Sequence, residues 1–207
     1  MLTDLIVKSF IDKVAGSDPV PGGGSISALN GALATALSAM VANLTVGRKK
    51  YMEVSEEMEA VSAKLTAVTK KLIEDVDLDS DAYNRVFAAF KMPKETDEEK
   101  ALRSQAIQKE TKYAAEVPMD VAKSVFAILP LIETVAMKGN SNAVTDACVS
   151  MMCARTAILG ALMNVRINLS SIKDEAFVAA MEKDADEMEK ETVEREHNLY
   201  NHVKTVL

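Results

Sequence analysis

A chain of 207 residues fits one domain, or at most two small ones, and is long enough to enclose a real core. Apolar residues make up 48% of it, yet there are only four Tyr, five Phe and no Trp, so the interior must be built from Ala, Leu, Val and Met, the residues of closely packed helices. Acidic side chains outnumber Lys plus Arg by 31 to 24, a net charge of −7, which argues against the basic surface that non-specific nucleic-acid binding requires but leaves room for a small anion held by a few local cations.

Residues 2–15 place Leu2, Leu5, Ile6, Phe10, Ile11 and Val14 at helical spacing and predict a short amphipathic helix. Asp4 and this pattern stand where a secretory leader would carry a basic region and an apolar core, so a cytoplasmic protein is expected. Ser17 to Gly24, with two prolines and three glycines, breaks the helix. A second helix runs from Gly24 or Ser25 to Val46 and stops at Gly47. Between Gly22 and Gly47 no residue is charged, a length that can cross a bilayer. Its Ser, Thr, Asn, Ala and Gly content lowers the hydropathy, and a helix at the centre of a soluble bundle, with no membrane partner, is the better reading.

A third helix starts near Met52 and continues to about Phe90, ended by Met92-Pro93, with an apolar stripe through Met58, Val61, Leu65, Val68, Leu72, Val76, Tyr83, Val86 and Phe90. Thr96 and Glu99 form a capping box that opens a fourth, which carries Pro118 and Pro130 and is expected to kink or break before Lys138-Gly139. Asn140 to Asn142 make a turn and cap, and a fifth helix follows to about Leu169. The last begins near Asp174 and is dense in Glu and Lys, a solvated outer element. No segment has strand periodicity. The short connections predict an all-α fold, a bundle of long, mostly antiparallel helices in a single domain over 1–207. Two of these helices, 25–46 and 143–169, are apolar or small on nearly every face, more than one small domain can cover, so a homodimer or larger oligomer is expected.

Four segments can carry chemistry. Pro19-Val20-Pro21-Gly22-Gly23-Gly24-Ser25 leads straight into a helix whose free N–H groups can hold an anion; a plain turn ending in a Ser cap is the alternative. Asp79 interrupts the third helix's apolar stripe, where a carboxylate must find a partner, line a cleft or have its pKa raised; a structural salt bridge would also account for it. Ser80 and Asp81 are expected to point elsewhere. Lys138 to Asp146 gathers Asn140, Ser141, Asn142, Thr145 and Asp146 at the mouth of the most apolar helix, more polar groups than capping uses, and at that helix's far end Asn164 and Asn168 share a face. Gly47-Arg48-Lys49-Lys50-Tyr51 is a basic cluster in an acidic protein, suited to a carboxylate tail or simply solvated. Cys148 and Cys153 lie on different faces of one helix, and His197 and His202 do not face together, so neither a disulfide nor a metal site is expected.

Taken together, PVPGGGSISALNGALATAL, LTVGRKKY, DLDSDAYNRVFAAFKMPK, AAEVPMDVA, GNSNAVTDACVS and NVRINL resemble the cyclodeaminase/cyclohydrolase family of folate enzymes, in order along the whole chain. Cys148 stands where that family typically has a small residue such as Gly. The resemblance implies a formiminotransferase-cyclodeaminase-like all-α fold, usually dimeric. It also implies activity on 5-formiminotetrahydrofolate, cyclised with loss of ammonia, or on 5,10-methenyltetrahydrofolate, hydrolysed to 10-formyltetrahydrofolate. No formiminotransferase half is expected beside it, which favours the free-standing enzyme. On this reading the tetrahydrofolate derivative is the substrate and no tightly bound cofactor or metal takes part. Asp79 and Asp146 are the expected catalytic pair, bordering one pocket with the triple-glycine bend. Pro21, Gly22, Gly23, Gly24 and Ser25 are expected to hold the pterin or the glutamate tail, with Tyr83, Asn140 and Asn142 as hydrogen-bonding support. Arg48, Lys49 and Lys50 would steer the tail. A non-catalytic helical folate-binding or scaffold protein is the alternative.

Overall fold

The computed structural model describes residues 1–207 and is built of seven α-helices with no strand: α1 (Val7–Val14), α2 (Gly23–Thr45), α3 (Ser55–Phe90), α4 (Asp97–Phe126), α5 (Leu129–Lys138), α6 (Val144–Leu169) and α7 (Glu175–Val206). Short 3-10 turns precede α1, α3 and α6. Four of these helices, α2, α3, α4 and α6, form an up-down bundle, with α5 and α7 packed on α6. Cross-helix pairs show the directions. Thr69 donates to Thr35 and Ser62 to Asn43, so α3 runs against α2, while Ser27 lies by Gly160 and Ser38 by Ser150, so α6 also runs against α2.

The helix boundaries follow from local chemistry. The first predicted helix is divided, because Leu5 and Ile6 are extended and the Leu2 amide bonds the Asp77 carboxylate of α3 at 2.9 and 3.1 Å. Thr96 and Glu99 make the reciprocal capping box at the start of α4. The break expected in the fourth element falls at Ala127-Ile128. Pro130 then occupies the first turn of α5, where a missing N–H leaves nothing unpaired, while Pro118 is carried inside α4. Asp174 caps α7 by accepting from the Phe177 amide.

The core is aliphatic, with Met58, Leu65, Leu72, Leu129, Ile132, Met151 and Ile158 fully buried. Small residues on α2 let three neighbours close in on it. Gly31 sits against Leu72 and Val125, with no room for a methyl group. Ser38 and Ser150 share a buried hydrogen bond of 2.6 Å, and Ser150 also donates to the Ala34 carbonyl. By length and composition alone, α2 and residues 141–169 could each cross a membrane, but half or more of each lies inside the bundle.

The apolar stripe of α3 is only partly core. Up to Val76 it is covered by α2, but Tyr83 and Phe90 are exposed, because α2 begins only at Gly23, level with Asp79, and α3 runs on past it. That unfilled position in the bundle is where the cleft lies.

Candidate active site

Where α2 stops short, the Pro19–Gly24 bend, α3, α4 and the last turns of α6 enclose a cleft of about 340 Å³. Asp79 enters it from α3. Its carboxylate accepts a hydrogen bond from the Ser25 hydroxyl at 3.0 Å, and Ser25 in turn is 3.1 Å from the Ser80 hydroxyl. The glycines make this possible. A Cβ on Gly24 would overlap the Asp79 carboxylate, and one on Gly23 would press within 3.2 Å of the Asn164 amide nitrogen. Burial pushes the Asp79 carboxyl above the ordinary carboxylate range, while the hydroxyl and backbone N–H of Ser25 hold it back. A carboxylate there is also favoured by the unpaired N–H groups of the first turn of α2.

On the opposite wall, Asn164 donates to the Gly160 carbonyl at 2.8 Å, and Asn168 donates to the carbonyls of Ala114 and Asn164 at 3.0 and 2.8 Å. Both side-chain N–H groups of Asn168 and one of Asn164 are thus spent on the backbone, which leaves both amide oxygens as acceptors for a ligand. Tyr83 borders the mouth and stacks on Phe87, with ring centroids 6.3 Å apart and planes within 15°.

The second group of expected site residues lies at the other end of the bundle. Arg48, Lys49, Lys50, Tyr51, Asn140, Ser141 and Asn142 line a shallow cleft of about 410 Å³. Tyr51 accepts from the Ser141 amide at 2.9 Å and shares a hydrogen bond of 3.0 Å with the Ser141 hydroxyl, to which Lys50 donates at 3.2 Å. These Ser141 contacts, with a smaller contribution from Lys50, lower the Tyr51 phenol to about 8. Asn140 serves the fold. Its amide donates to Thr45, its side chain to the Leu44 carbonyl, and its side-chain oxygen accepts from the Asn142 amide, which stitches the end of α2 to the start of α6. Arg48, Lys49 and Lys50 are exposed and make no ion pair.

Within one chain, therefore, the structure does not bring the two expected carboxylates together. Asp146 is in the first turn of α6, and Asn164, eighteen residues on, borders the glycine cleft, a separation of about 27 Å along the helix. Gly22, Gly23, Gly24, Ser25, Asp79 and Tyr83 gather at one end, with Pro21 on the outer side of the bend, while Arg48, Lys49, Lys50, Asn140, Asn142 and Asp146 gather at the other. Ser80 also departs from expectation. It faces the glycine bend beside Asp79, because the bare first turn of α2 is thin enough to sit between both side chains. The stack of Phe87 on Tyr83 was not read from the sequence, although their i, i+4 spacing is the signal. Asp75, buried and paired with Lys71 at 2.6 Å, is a structural ion pair on the same helix. No three His, Cys, Asp or Glu side chains gather as metal ligands.

Comparison with known proteins agrees with this architecture. A methenyltetrahydrofolate cyclohydrolase of Methylorubrum extorquens is 36% identical over 199 residues, 96% of each chain. The formimidoyltransferase-cyclodeaminase of Rattus norvegicus is 32% identical over 176 residues, 85% of this chain but 32% of that longer protein. The crystal structure of formiminotetrahydrofolate cyclodeaminase from Thermotoga maritima superimposes with a TM-score of 0.82 at 32% identity, over 100% of this chain and 98% of that one. The formiminotransferase-cyclodeaminase family model matches residues 6–187, and the chain belongs to that family.

Proposed function

We propose that this protein is a folate one-carbon enzyme that hydrolyses 5,10-methenyltetrahydrofolate to 10-formyltetrahydrofolate, with Asp79 as the proton-transfer group. The observation that carries the reading is a half-buried carboxylate, raised in pKa by burial and clamped against a triple-glycine bend, in a cleft walled by two side-chain amides and by Tyr83, which stacks on Phe87 beside it. Likeness over 96% of both chains to a protein named as a methenyltetrahydrofolate cyclohydrolase supports it. Cyclisation of 5-formiminotetrahydrofolate with loss of ammonia is the second reading, favoured by likeness to the Thermotoga maritima cyclodeaminase over 98% of its chain.

In the hydrolysis, water adds to the amidinium carbon between N5 and N10. Asp79 takes a proton from the attacking water and passes it to N5 as the C–N5 bond of the hydroxyl adduct breaks; the adduct's hydroxyl proton is lost to solvent as the C=O forms, leaving the formyl group on N10 and releasing one proton overall. Asn164 and Asn168 accept from pterin N–H donors, and Tyr83 with Phe87 offers a face for the ring system. The chemistry needs no tightly bound cofactor on this reading. The working form is a cytoplasmic homodimer, since α2 and α6 present more apolar surface than one bundle covers. Decay of methenyltetrahydrofolate absorbance tests the proposal. The wild type should accelerate it, and Asp79→Asn should lower turnover at least about tenfold without loss of helicity. Full turnover in a folded Asp79→Asn protein would remove Asp79 from the reaction.

A further inference from the structure

The polar chain that begins at Asp79 leads out of the glycine cleft through its wall. Asp79 Oδ2 accepts from the Ser25 hydroxyl at 3.0 Å, and Ser25 is 3.1 Å from the Ser80 hydroxyl. Ser25 is fully buried and Ser80 is 8% exposed. Ser80 does not border the glycine cleft. It lines a second cleft, of about 450 Å³, on the other side of the segment Pro19-Val20-Pro21. Charged groups reach this second cleft from each element around it: Lys13 of α1, Asp18 of the bend, and Asp77 and Asp81 of α3. Lys13, Asp18 and Asp81 are exposed, so the cleft is open to solvent.

The proposed hydrolysis has a use for such a path. A methenyl cation becomes a neutral formyl product, so one proton must leave the site in each turnover. A pterin that fills the glycine cleft, about 340 Å³, displaces the water in front of Asp79 and closes that way out. Asn164 and Asn168, on the opposite wall, carry amides that do not titrate and cannot pass a proton on. A hydroxyl can, because it donates and accepts at once.

We propose that Ser25 and Ser80 form a proton relay that carries the proton released in each turnover from Asp79 through the wall of the glycine cleft to solvent in the second cleft. This rests on the hydrolytic reading. Once Asp79 has given its first proton to N5 it is a carboxylate again, and it takes the hydroxyl proton of the adduct as the C=O forms. That proton, held on Oδ2, moves to Ser25 Oγ as the Ser25 proton moves to Ser80 Oγ and the Ser80 proton moves to water. Three O–H bonds break and three form, and each serine ends with one proton. Ser25 donates to the ionised carboxylate and must turn to accept from the protonated one, and either hydroxyl can be the donor in the Ser25–Ser80 pair. Ser80 acts through Ser25 and does not touch the substrate.

Ser80→Ala, with helicity checked by circular dichroism, is assayed on methenyltetrahydrofolate at low buffer concentration across a range of pH. The plateau kcat should fall about tenfold, within the range that proton transfer contributes, and KM should stay as in the wild type. A merely structural or electrostatic role would instead raise KM, or shift the acidic limb and leave the plateau intact. The dependence of kcat on the fraction of D2O is a second readout. It should be curved in the wild type, where several protons move together, and straight in Ser80→Ala. Full plateau turnover in Ser80→Ala, a loss confined to KM or to the acidic limb, or a straight D2O dependence in the wild type overturns the relay while the folate reading stands. A wild type that does not hydrolyse methenyltetrahydrofolate overturns the hydrolytic reading and the relay with it.

Discussion

Gly24→Ala isolates the contact on which the site depends. Gly24 is the second residue of α2, where alanine is intrinsically better than glycine by about 0.5–1 kcal/mol. Here the added methyl would overlap the Asp79 carboxylate, and forcing extra volume into a packed contact costs about 1–3 kcal/mol. The net expectation in the wild type is a loss of about 0–2.5 kcal/mol. In an Asp79→Ala background the obstacle is gone, so the same substitution should be neutral or stabilising by up to about 1 kcal/mol. Urea denaturation of the four proteins gives the coupling directly, expected at about 1–3 kcal/mol. Turnover should fall by about a hundredfold in Gly24→Ala, because a displacement of about 1 Å is enough to spoil a reacting geometry. An equal stability change in both backgrounds would refute the contact, and full turnover in Gly24→Ala would refute its part in catalysis.

Three further outcomes follow from the titrating groups. A carboxyl raised by burial contributes stability below its unfolded pKa and loses it as pH rises through the folded value, so ionised Asp79 is a net cost at neutral pH. Asp79→Asn should therefore have a higher urea midpoint than wild type at pH 7, with the difference vanishing below about pH 4; a lower midpoint at pH 7 contradicts this. Ser25→Ala removes the hydroxyl that favours the charged form, so the acidic limb of the pH–rate profile should move upward while the reaction survives. Tyr51 should titrate by ultraviolet absorbance near pH 8, and Ser141→Ala should return its midpoint toward the ordinary phenol range; a midpoint that does not move would separate Tyr51 from Ser141.

Much of the fold was legible because its signals are local. The capping box at Thr96, the stop at Gly47 and the proline in the first turn of α5 each act within a few residues of where they stand. Asp79 stood out for the same reason, as a carboxylate breaking an apolar periodicity. What the sequence left hidden is long-range. Tyr83 and Phe90 continue the α3 stripe perfectly well, and only the late start of α2 exposes them. Likewise, nothing local says that Asp146 begins α6 at the end away from the glycine cleft. That depends on α6 running against α2, which small-residue contacts such as Ser27 with Gly160 settle in three dimensions. Asn140 looked like a ligand-binding amide because more polar residues gather at the mouth of α6 than capping uses, but its hydrogen bonds to Leu44, Thr45 and the Asn142 amide are spent holding two helix ends together.

If Asp79 is the base of the proposed hydrolysis, its raised pKa looks at first like a defect, since burial works against the ionised form that the reaction needs. The charge of the substrate resolves it. Methenyltetrahydrofolate carries its positive charge on the amidinium carbon that water attacks, so binding it beside Asp79 favours the carboxylate and lowers its pKa. When water adds, the cation becomes a neutral adduct and that support vanishes in the same step. The carboxyl then reverts to the higher pKa set by burial and takes the proton from the attacking water. On the proposed mechanism the site would hold an ion pair before the step and two neutral groups after it, so no net charge would be created or removed in the half-buried cleft. An exposed aspartate would ionise more readily but would have far less reason to accept the proton once the cation was gone. Ser25 and the helix N-terminus then set a balance, holding the carboxyl ready to ionise for the substrate, while the burial made possible by Gly23 and Gly24 keeps it basic enough to use.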